Sequence, residues 1–271
     1  MRAPAPAKIN LALVVGPVRP GGKHEVATVL QRVDLADRVA VAPAAALTVT
    51  GFAGDTLVRD ALVALAAAAG TEPRWAATIT KRIPVASGLG GGSSDAATAL
   101  RLANATLEQP LSDEEVRAIA ATIGADVPFF LGDGPQLGRG DGSALEPLEL
   151  PQDYWVVLVL PTGAAKASTA AVYAAFDERV GAAGWQDRRA RLELALAGVR
   201  RPRDLAMLPP NDLASSPLAG ELSRLGAFRA DVSGAGPVVY GLFHHRRQAE
   251  AARRALRDAG ASWLTVPAWY G

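Results

Sequence analysis

The sequence predicts an α+β fold in two units, on three observations. Strand-like and helix-like segments are mixed along the chain without the strict alternation that builds a doubly wound sheet. Of the 271 residues, 49% are hydrophobic and 20% charged, enough apolar material for a sizeable core. Between Glu149 and Tyr154 the chain breaks, flanked by Pro147 and Pro151, which divides it into an N-terminal unit over residues 1–150 and a C-terminal unit over residues 151–271.

In chain order, residues 9–15 are apolar and β-rich, a first strand, and residues 16–22 form a Pro/Gly loop. Residues 26–33 and 38–41 read as two further strands with a connection over 34–37. Residues 55–69 read as a helix ended by Gly70. Alternation over residues 75–83 predicts a strand. The glycines of residues 88–92 predict a turn, and residues 94–104 a helix with Ala97, Leu100 and Ala103 on one side. Ser112 caps the next helix, with Glu115 at the capping-box position. Residues 155–160 are a strand closed by Pro161. In the second unit, residues 192–196 and 249–259 are helical, and residues 238–243 and 263–266 are strands.

Several function classes are excluded early. The net charge of +1 gives no global field to attract nucleic acid or an acidic membrane. The frequent arginines are interleaved with acids and alanine, as in Arg188-Arg189-Ala190-Arg191-Leu192-Glu193, a solvated helix face. With no cysteine there is no disulfide framework, thiolate ligand or cysteine nucleophile. Residues 1–10 lack the apolar run of a signal peptide, and residues 57–69 are too short to span a bilayer. A cytoplasmic protein is expected. The histidines are His24, His244 and His245; His24-Glu25 has no second histidine four residues on, so a zinc-protease reading fails. His244 and His245, beside Arg246 and Arg247, read as an exposed basic turn.

The strongest signal is the run Pro84-Val85-Ala86-Ser87-Gly88-Leu89-Gly90-Gly91-Gly92-Ser93-Ser94, with a strand leading in and a helix leading out. Four glycines let the backbone approach an anion and take positive φ. Their N–H groups converge on phosphate oxygens at the positive end of the next helix. Ser93 and Ser94 are expected to cap that helix and add hydroxyl donors, and a side chain placed at Gly90 is expected to enter the phosphate cradle. The run lacks the Gly-Lys-Ser/Thr close of a P-loop, and Ser93 stands where a dinucleotide fingerprint needs its third glycine. A tight strand-to-helix turn is the plain alternative, but a turn needs one or two glycines.

Two further constellations stand beside it. Lys8 and Asn10 share one face of the first strand, opposite Ile9 and Leu11; they fit the lip of a site, and equally an edge strand. Asp126 precedes the apolar Pro128-Phe129-Phe130. A partly buried acid there is shifted toward general-base use, with Lys8 the candidate partner; a capping or salt-bridged acid is the alternative. A second glycine cluster, Ser233-Gly234-Ala235-Gly236-Pro237, precedes the strand at 238–243.

Taken together, these residues resemble the GHMP kinases. Three motifs stand in the family's order: Lys8-Ile9-Asn10-Leu11, the run from Pro84 to Ala97, and the run from Val232 to Pro237. The resemblance is nearest to members acting on a cytidyl diphosphate alcohol, through His24-Glu25 with Thr28, Leu35-x-Asp37 and Gly124-Ala125-Asp126-Val127-Pro128-Phe129-Phe130. It continues through Gly138-Arg139-Gly140, Ser168-Thr169 and Asn211-Asp212-Leu213. It implies a two-domain GHMP kinase fold with the active site in the inter-domain cleft. It implies ATP held by the loop from Pro84 to Ser94, with a Mg²⁺ spreading the charge on the transferred group; no residue is assigned as a metal ligand. Asp126 would be the catalytic base and Lys8 its charged partner. Asn10, Lys23, His24, Thr169 and Tyr173 would line the pocket for a small-molecule substrate, a diphosphocytidyl methylerythritol phosphorylated on its 2-hydroxyl. A homoserine- or mevalonate-type alcohol, and a silent nucleotide sensor, are the alternatives; the Asp126 motif opposes the first, intact Lys8 and Asp126 the second. Three positions depart from the family pattern: Lys23 replaces a tyrosine that stacks on the base, Thr56 an asparagine, and Asp141 a glutamate. Tyr173 is then the remaining stacking surface.

Overall fold

The structure is a computed structural model, and it describes residues 1–54, 56–164 and 168–268. Two sheets organise it. In the first, β1 (Arg2–Val18) and β2 (His24–Pro43) pair antiparallel along nearly their whole length, from Arg2 opposite Ala40 to Val18 opposite His24. On its other side, β2 carries two partners in turn. β4 (Trp75–Thr80) pairs with its residues 38–43, and β5 (Gln136–Arg139) with its residues 28–30. β3 (Thr48–Thr50) runs parallel to β4, and β6 (Ala144–Pro147) closes on β5.

The two strands expected over 26–33 and 38–41 are one. The connection expected at 34–37 stays extended because Ala36 and Asp37 pair with Pro6 and Ala5. The fully buried Asp37 carboxylate is satisfied by N–H groups of Arg82 and Ile83. A polar residue that reads locally as a loop is held here by partners 45 and 46 residues away.

Three helices cover this sheet: α1 (Leu57–Ala68), α2 (Gly91–Asn104) and α3 (Asp113–Ile123). Val58, Leu62, Leu65, Leu100 and Ile119 bury themselves against Val39, Val41 and Ile79. Asp55, where the first helix was expected to start, lies outside the described residues. The Ser112–Glu115 capping box is present. β4 stops at Thr80, short of Ile83, because the chain turns there to deliver Lys81, Arg82 and Ile83 to Asp37.

The second sheet orders its antiparallel strands β10-β7-β9-β8, from β7 (Trp155–Pro161), β8 (Arg229–Val232), β9 (Val239–Phe243) and β10 (Gly260–Thr265). Its helices are α4 (Thr169–Arg179), α5 (Trp185–Gly198), α6 (Pro217–Arg224) and α7 (Arg246–Ala255). α5 is three times the predicted segment, and α4, α6 and β8 carried no clear periodic signal. The sheets share a core. Ile9 and Leu11 of β1 pack in one cluster with Val156, Leu158, Tyr240 and Leu242, and the Tyr240 hydroxyl donates to Leu11 O at 3.3 Å. After β10 the chain returns to β2, where Asp34 N–H donates to Val266 O at 2.9 Å. Among the described residues no helix is long and apolar enough to cross a membrane.

Candidate active site

Alternation along β1 sends Ile9 and Leu11 into the core and Lys8 and Asn10 to the other face. β1 is an edge strand, but each of these polar residues is only 5% exposed, so the plain edge-strand reading fails. Buried polar groups need partners, and a relay provides them. Lys8 Nζ donates to Asn10 Oδ1 at 2.7 Å, Asn10 Nδ2 to Thr28 Oγ1 at 2.8 Å, and Thr28 Oγ1 to Ala12 O at 2.8 Å. Lys8 Nζ also lies 3.5 Å from Asp126 Oδ2. Asp126 follows α3 and precedes a 3₁₀ turn at Pro128–Leu131 that buries Phe129 and Phe130. Its carboxylate, expected to be partly buried by that patch, is so: it is 41% exposed and borders a cavity. The buried ammonium orients the half-exposed carboxylate beside it.

The glycine run meets this pair from the other side. Gly88 (φ +85°) and Gly90 (φ +70°) are left-handed, and a Cβ at Gly88 would stand 2.3 Å from Ser233 O. Three bonds tie the motifs together: Lys8 N–H to Leu89 O at 2.9 Å, Ser233 Oγ to Gly88 O at 3.1 Å, and Val238 N–H to Ser87 O at 3.1 Å. Helix α2 starts at Gly91, and its first internal bond runs from Ser94 N–H to Gly90 O. The N–H groups of Gly91, Gly92 and Ser93 are therefore left over at the positive end of the helix, a site for an anion.

Two expectations are corrected. Ser93 and Ser94 lie inside α2 and do not cap it; the cap position is Gly90, and among the described residues the buried Ser94 Oγ has no hydrogen-bond partner. A side chain at Gly90 would not enter the cradle: its Cβ would press on Phe130 Cζ at 3.0 Å and on Lys8 Cγ at 3.1 Å.

Sequence reasoning missed Lys81. Its ammonium bridges two fully buried carboxylates, Asp37 and Asp95 (2.7 Å to Asp95 Oδ2), beside the same cavity. Burial works against its charge, but the two carboxylates outweigh burial and raise it above the ordinary lysine value. Its partners are 44 and 14 residues away, so no local pattern marked it. The part played by Asn211 was also unseen. Its Nδ2 donates to Val232 O at 3.0 Å and to Gly234 O at 2.6 Å, holding the second glycine cluster against the relay. A Cβ at Gly234 would lie 3.3 Å from Asn10 Oδ1 and 3.4 Å from Lys8 Nζ.

A cavity of about 600 Å³ is lined by Lys8, Asn10, Asp126, Lys81 and the glycine loop. A second, of about 500 Å³, adjoins it through shared walls at Ala125, Asp141, Thr169 and Tyr173. The expected substrate residues are thus divided. Lys23, His24, Thr169 and Tyr173 line the second cavity, while Asn10 stands at the first beside Lys8. Ser168 caps α4 by accepting from Ala171 N–H at 3.1 Å, which sets Thr169 at the helix start. The His24 ring stacks on Tyr173 at 4.8 Å, and His24 Nε2 shares a 2.8 Å hydrogen bond with Asp177. One face of Tyr173 is therefore occupied. Burial, with the Asp126 charge adding, pushes the Tyr173 hydroxyl up to about 12.

Lys23 holds a partner the sequence did not reveal: its Nζ donates to Asp141 Oδ2 at 2.7 Å. Two departures from the family pattern, 118 residues apart, are one ion pair. Lys23 and then Ser143, both donating to it, hold the Asp141 carboxyl down to about 2. His244 and His245 are exposed, as expected; His244 stacks on Phe228 at 4.5 Å.

The cradle of open N–H groups and left-handed glycines fits the phosphates of a nucleotide. Among the described residues no cluster of three or more His, Cys, Asp or Glu side chains could hold a metal ion.

Residues 55–134 match the GHMP kinases N terminal domain, and residues 214–262 the GHMP kinases C terminal domain. The 4-diphosphocytidyl-2-C-methyl-D-erythritol kinase of Pelobacter propionicus is 38% identical over 97% of this chain and 96% of its own. The enzyme of that name from an Anaeromyxobacter species is 40% identical over 94% and 86%. A crystal structure of 4-(cytidine 5'-diphospho)-2C-methyl-D-erythritol kinase superposes with a TM-score of 0.80 at 32% identity, covering 99% of this chain and 100% of that one. The mevalonate kinase of Methanococcus jannaschii shares the fold, with a TM-score of 0.75 at 12% identity over 99% and 98%.

Proposed function

The chain belongs to the 4-diphosphocytidyl-2-C-methyl-D-erythritol kinases of the GHMP family, and from that premise we propose how its two cavities divide the reaction. The enzyme transfers the γ-phosphate of ATP to a hydroxyl of 4-diphosphocytidyl-2-C-methyl-D-erythritol, a step in isoprenoid precursor synthesis. The first cavity holds the ATP phosphates and the accepting hydroxyl, here the 2-hydroxyl. The second receives the cytidyl end.

Phosphoryl transfer asks a protein for in-line positioning and charge stabilisation more than for covalent help. Asp126 accepts the proton of the attacking hydroxyl. Lys8, fixed by Asn10 and the Leu89 carbonyl, keeps that carboxylate aimed. The N–H groups of Gly91, Gly92 and Ser93 face the phosphates, where fixed dipoles need no reorganisation as charge moves. Mg²⁺ on the nucleotide would neutralise part of the phosphate charge. His24, Thr169 and the free face of Tyr173 take up the base. The same reading places the enzyme in the cytoplasm, where ATP is supplied. The observation that carries it is the Lys8–Asp126 pair standing beside the glycine cradle on one cavity wall.

The test is a substrate panel at saturating ATP, with the cytidyl diphosphate alcohol, homoserine and mevalonate as acceptors and ADP release as the readout. Turnover should be confined to the cytidyl compound. Faster turnover of mevalonate or homoserine would reject the substrate assignment.

A further inference from the structure

The second cavity poses a charge problem. On the reading above, the substrate carries an anionic diphosphate between its base and its reacting alcohol. Yet two acids, Asp141 and Asp177, line this cavity, and Asp141 also borders the first. His24 engages Asp177. Among the described residues lining the second cavity, Lys23 is the one lysine or arginine. It is bonded to the acid on the border that a molecule must cross to occupy both cavities.

We propose that Lys23 is a specificity-determining residue that takes the substrate diphosphate, and that Asp141 is its positioning partner. The backbone of Lys23 is fixed in the β1–β2 turn, where Arg19 N–H donates to Lys23 O at 2.7 Å and Gly22 N–H to Arg19 O at 3.0 Å. Its side chain is the exposed member of the pair, 66% exposed against 21% for Asp141. An exposed ion pair contributes little, so exchanging one oxyanion for another costs little. An ammonium is a compact phosphate donor, whereas an aromatic ring at this place offers a face and no charge. Asp141, held ionised by Lys23 and Ser143, parks the ammonium at the border and gives it up when a diphosphate arrives. The inference rests on the proposed substrate.

The test compares Lys23→Met, Lys23→Tyr, Asp141→Asn and the Lys23→Met/Asp141→Asn double variant, each with KM for the cytidyl diphosphate alcohol and for ATP. Lys23→Met keeps the stem and removes the charge. It should raise KM for the alcohol roughly twofold to fivefold, the scale of one exposed charge interaction, and leave KM for ATP unchanged. Asp141→Asn should lower KM for the alcohol, because it frees the cation and removes a repelling acid; the double variant should fall between. A pair that only staples two turns together would raise KM in both single variants alike, and that result would overturn the proposal. So would a silent Lys23→Met alongside a lowered KM in Lys23→Tyr, which would mean the position stacks on the base. A rise in KM for ATP would assign Lys23 to the nucleotide and equally end it. If the wild type turns over another alcohol in place of the cytidyl compound, the functional reading fails first, before any variant is made, and this inference falls with it.

Discussion

The two cavities adjoin, yet they are walled in different ways. The first is walled by backbone: left-handed glycines, a helix start, and cross-bonds from Lys8 to Leu89, Ser233 to Gly88 and Val238 to Ser87. Its charges form two groups: the buried Lys8, tied to Asn10 and beside the half-exposed Asp126, and Lys81 joined to the fully buried Asp37 and Asp95. The second is walled by side chains from a hairpin turn, a hairpin loop and the start of α4. Its ties, Lys23–Asp141 and His24–Asp177, are both more exposed than the Lys81 group. On the proposed division of the reaction, the contrast follows from the tasks. Phosphoryl transfer fails when reacting groups move by about 1 Å, so its frame is rigid. Recognition of a base and a diphosphate tolerates exchange of one side-chain pair for another.

The contrast is sharpest where charge is buried. Lys81→Met strands Asp37 and Asp95 without their cation, and losing one partner of a buried pair costs about 3–5 kcal/mol. Urea unfolding should show a loss of that order, and a loss below about 1 kcal/mol, within the range of exposed pairs, would mean the triad is no more rigid than the second cavity. The same group gives a pH test. Its folded value lies above the unfolded one, so its stabilisation is complete below the ordinary lysine value of about 10.4 and is lost as pH rises through the higher folded value. The stability gap between wild type and Lys81→Met should therefore close only in that alkaline range; a gap that closes near neutrality would contradict the assignment.

Backbone changes come next. Gly88→Ala puts a Cβ against Ser233 O in a left-handed conformation, and such strain costs about 1–3 kcal/mol. Thermal melting should shift down accordingly. An unchanged melting temperature would mean the two glycine clusters are not pressed together.

The smallest effect belongs to the second cavity. Base stacking is worth about 1–3 kcal/mol, and with one face of Tyr173 already on His24 the low end applies. Tyr173→Ala should raise KM for the cytidyl substrate roughly fivefold with little change in unfolding free energy. A loss of stability as large as that of Lys81→Met would erase the distinction between the two regions.

Legibility in the sequence follows the same line. Lys8 and Asn10, the glycine run and the Ser112 capping box were readable because each is a local pattern whose geometry is set by near neighbours. Asp126 was readable as an acid beside an apolar run that needs a partner, with Lys8 the candidate, and the family resemblance gave the pair its roles. What failed was non-local. Residues 34–37 read as a connection because the partners of Asp37 lie near residue 82. Ser93 and Ser94 read as caps because the left-handed Gly90 that displaces them is invisible in composition. Lys81 and the Lys23–Asp141 pair join elements up to 118 residues apart. α4 was missed because its outward surface is dominated by alanine, and Phe176 is its one fully buried residue.

The central claim is that Asp126, beside Lys8, is the base for transfer to the cytidyl alcohol. The direct measurement follows phosphate transfer from ATP to 4-diphosphocytidyl-2-C-methyl-D-erythritol by ³¹P NMR, in wild type and in Asp126→Asn, at saturating substrates, with ATP affinity measured separately. The wild type should build a new phosphomonoester signal, and Asp126→Asn should slow its appearance by roughly 10² to 10⁴ with ATP affinity retained. Near-normal transfer by a folded Asp126→Asn would show that the proton leaves by another route and would contradict the account.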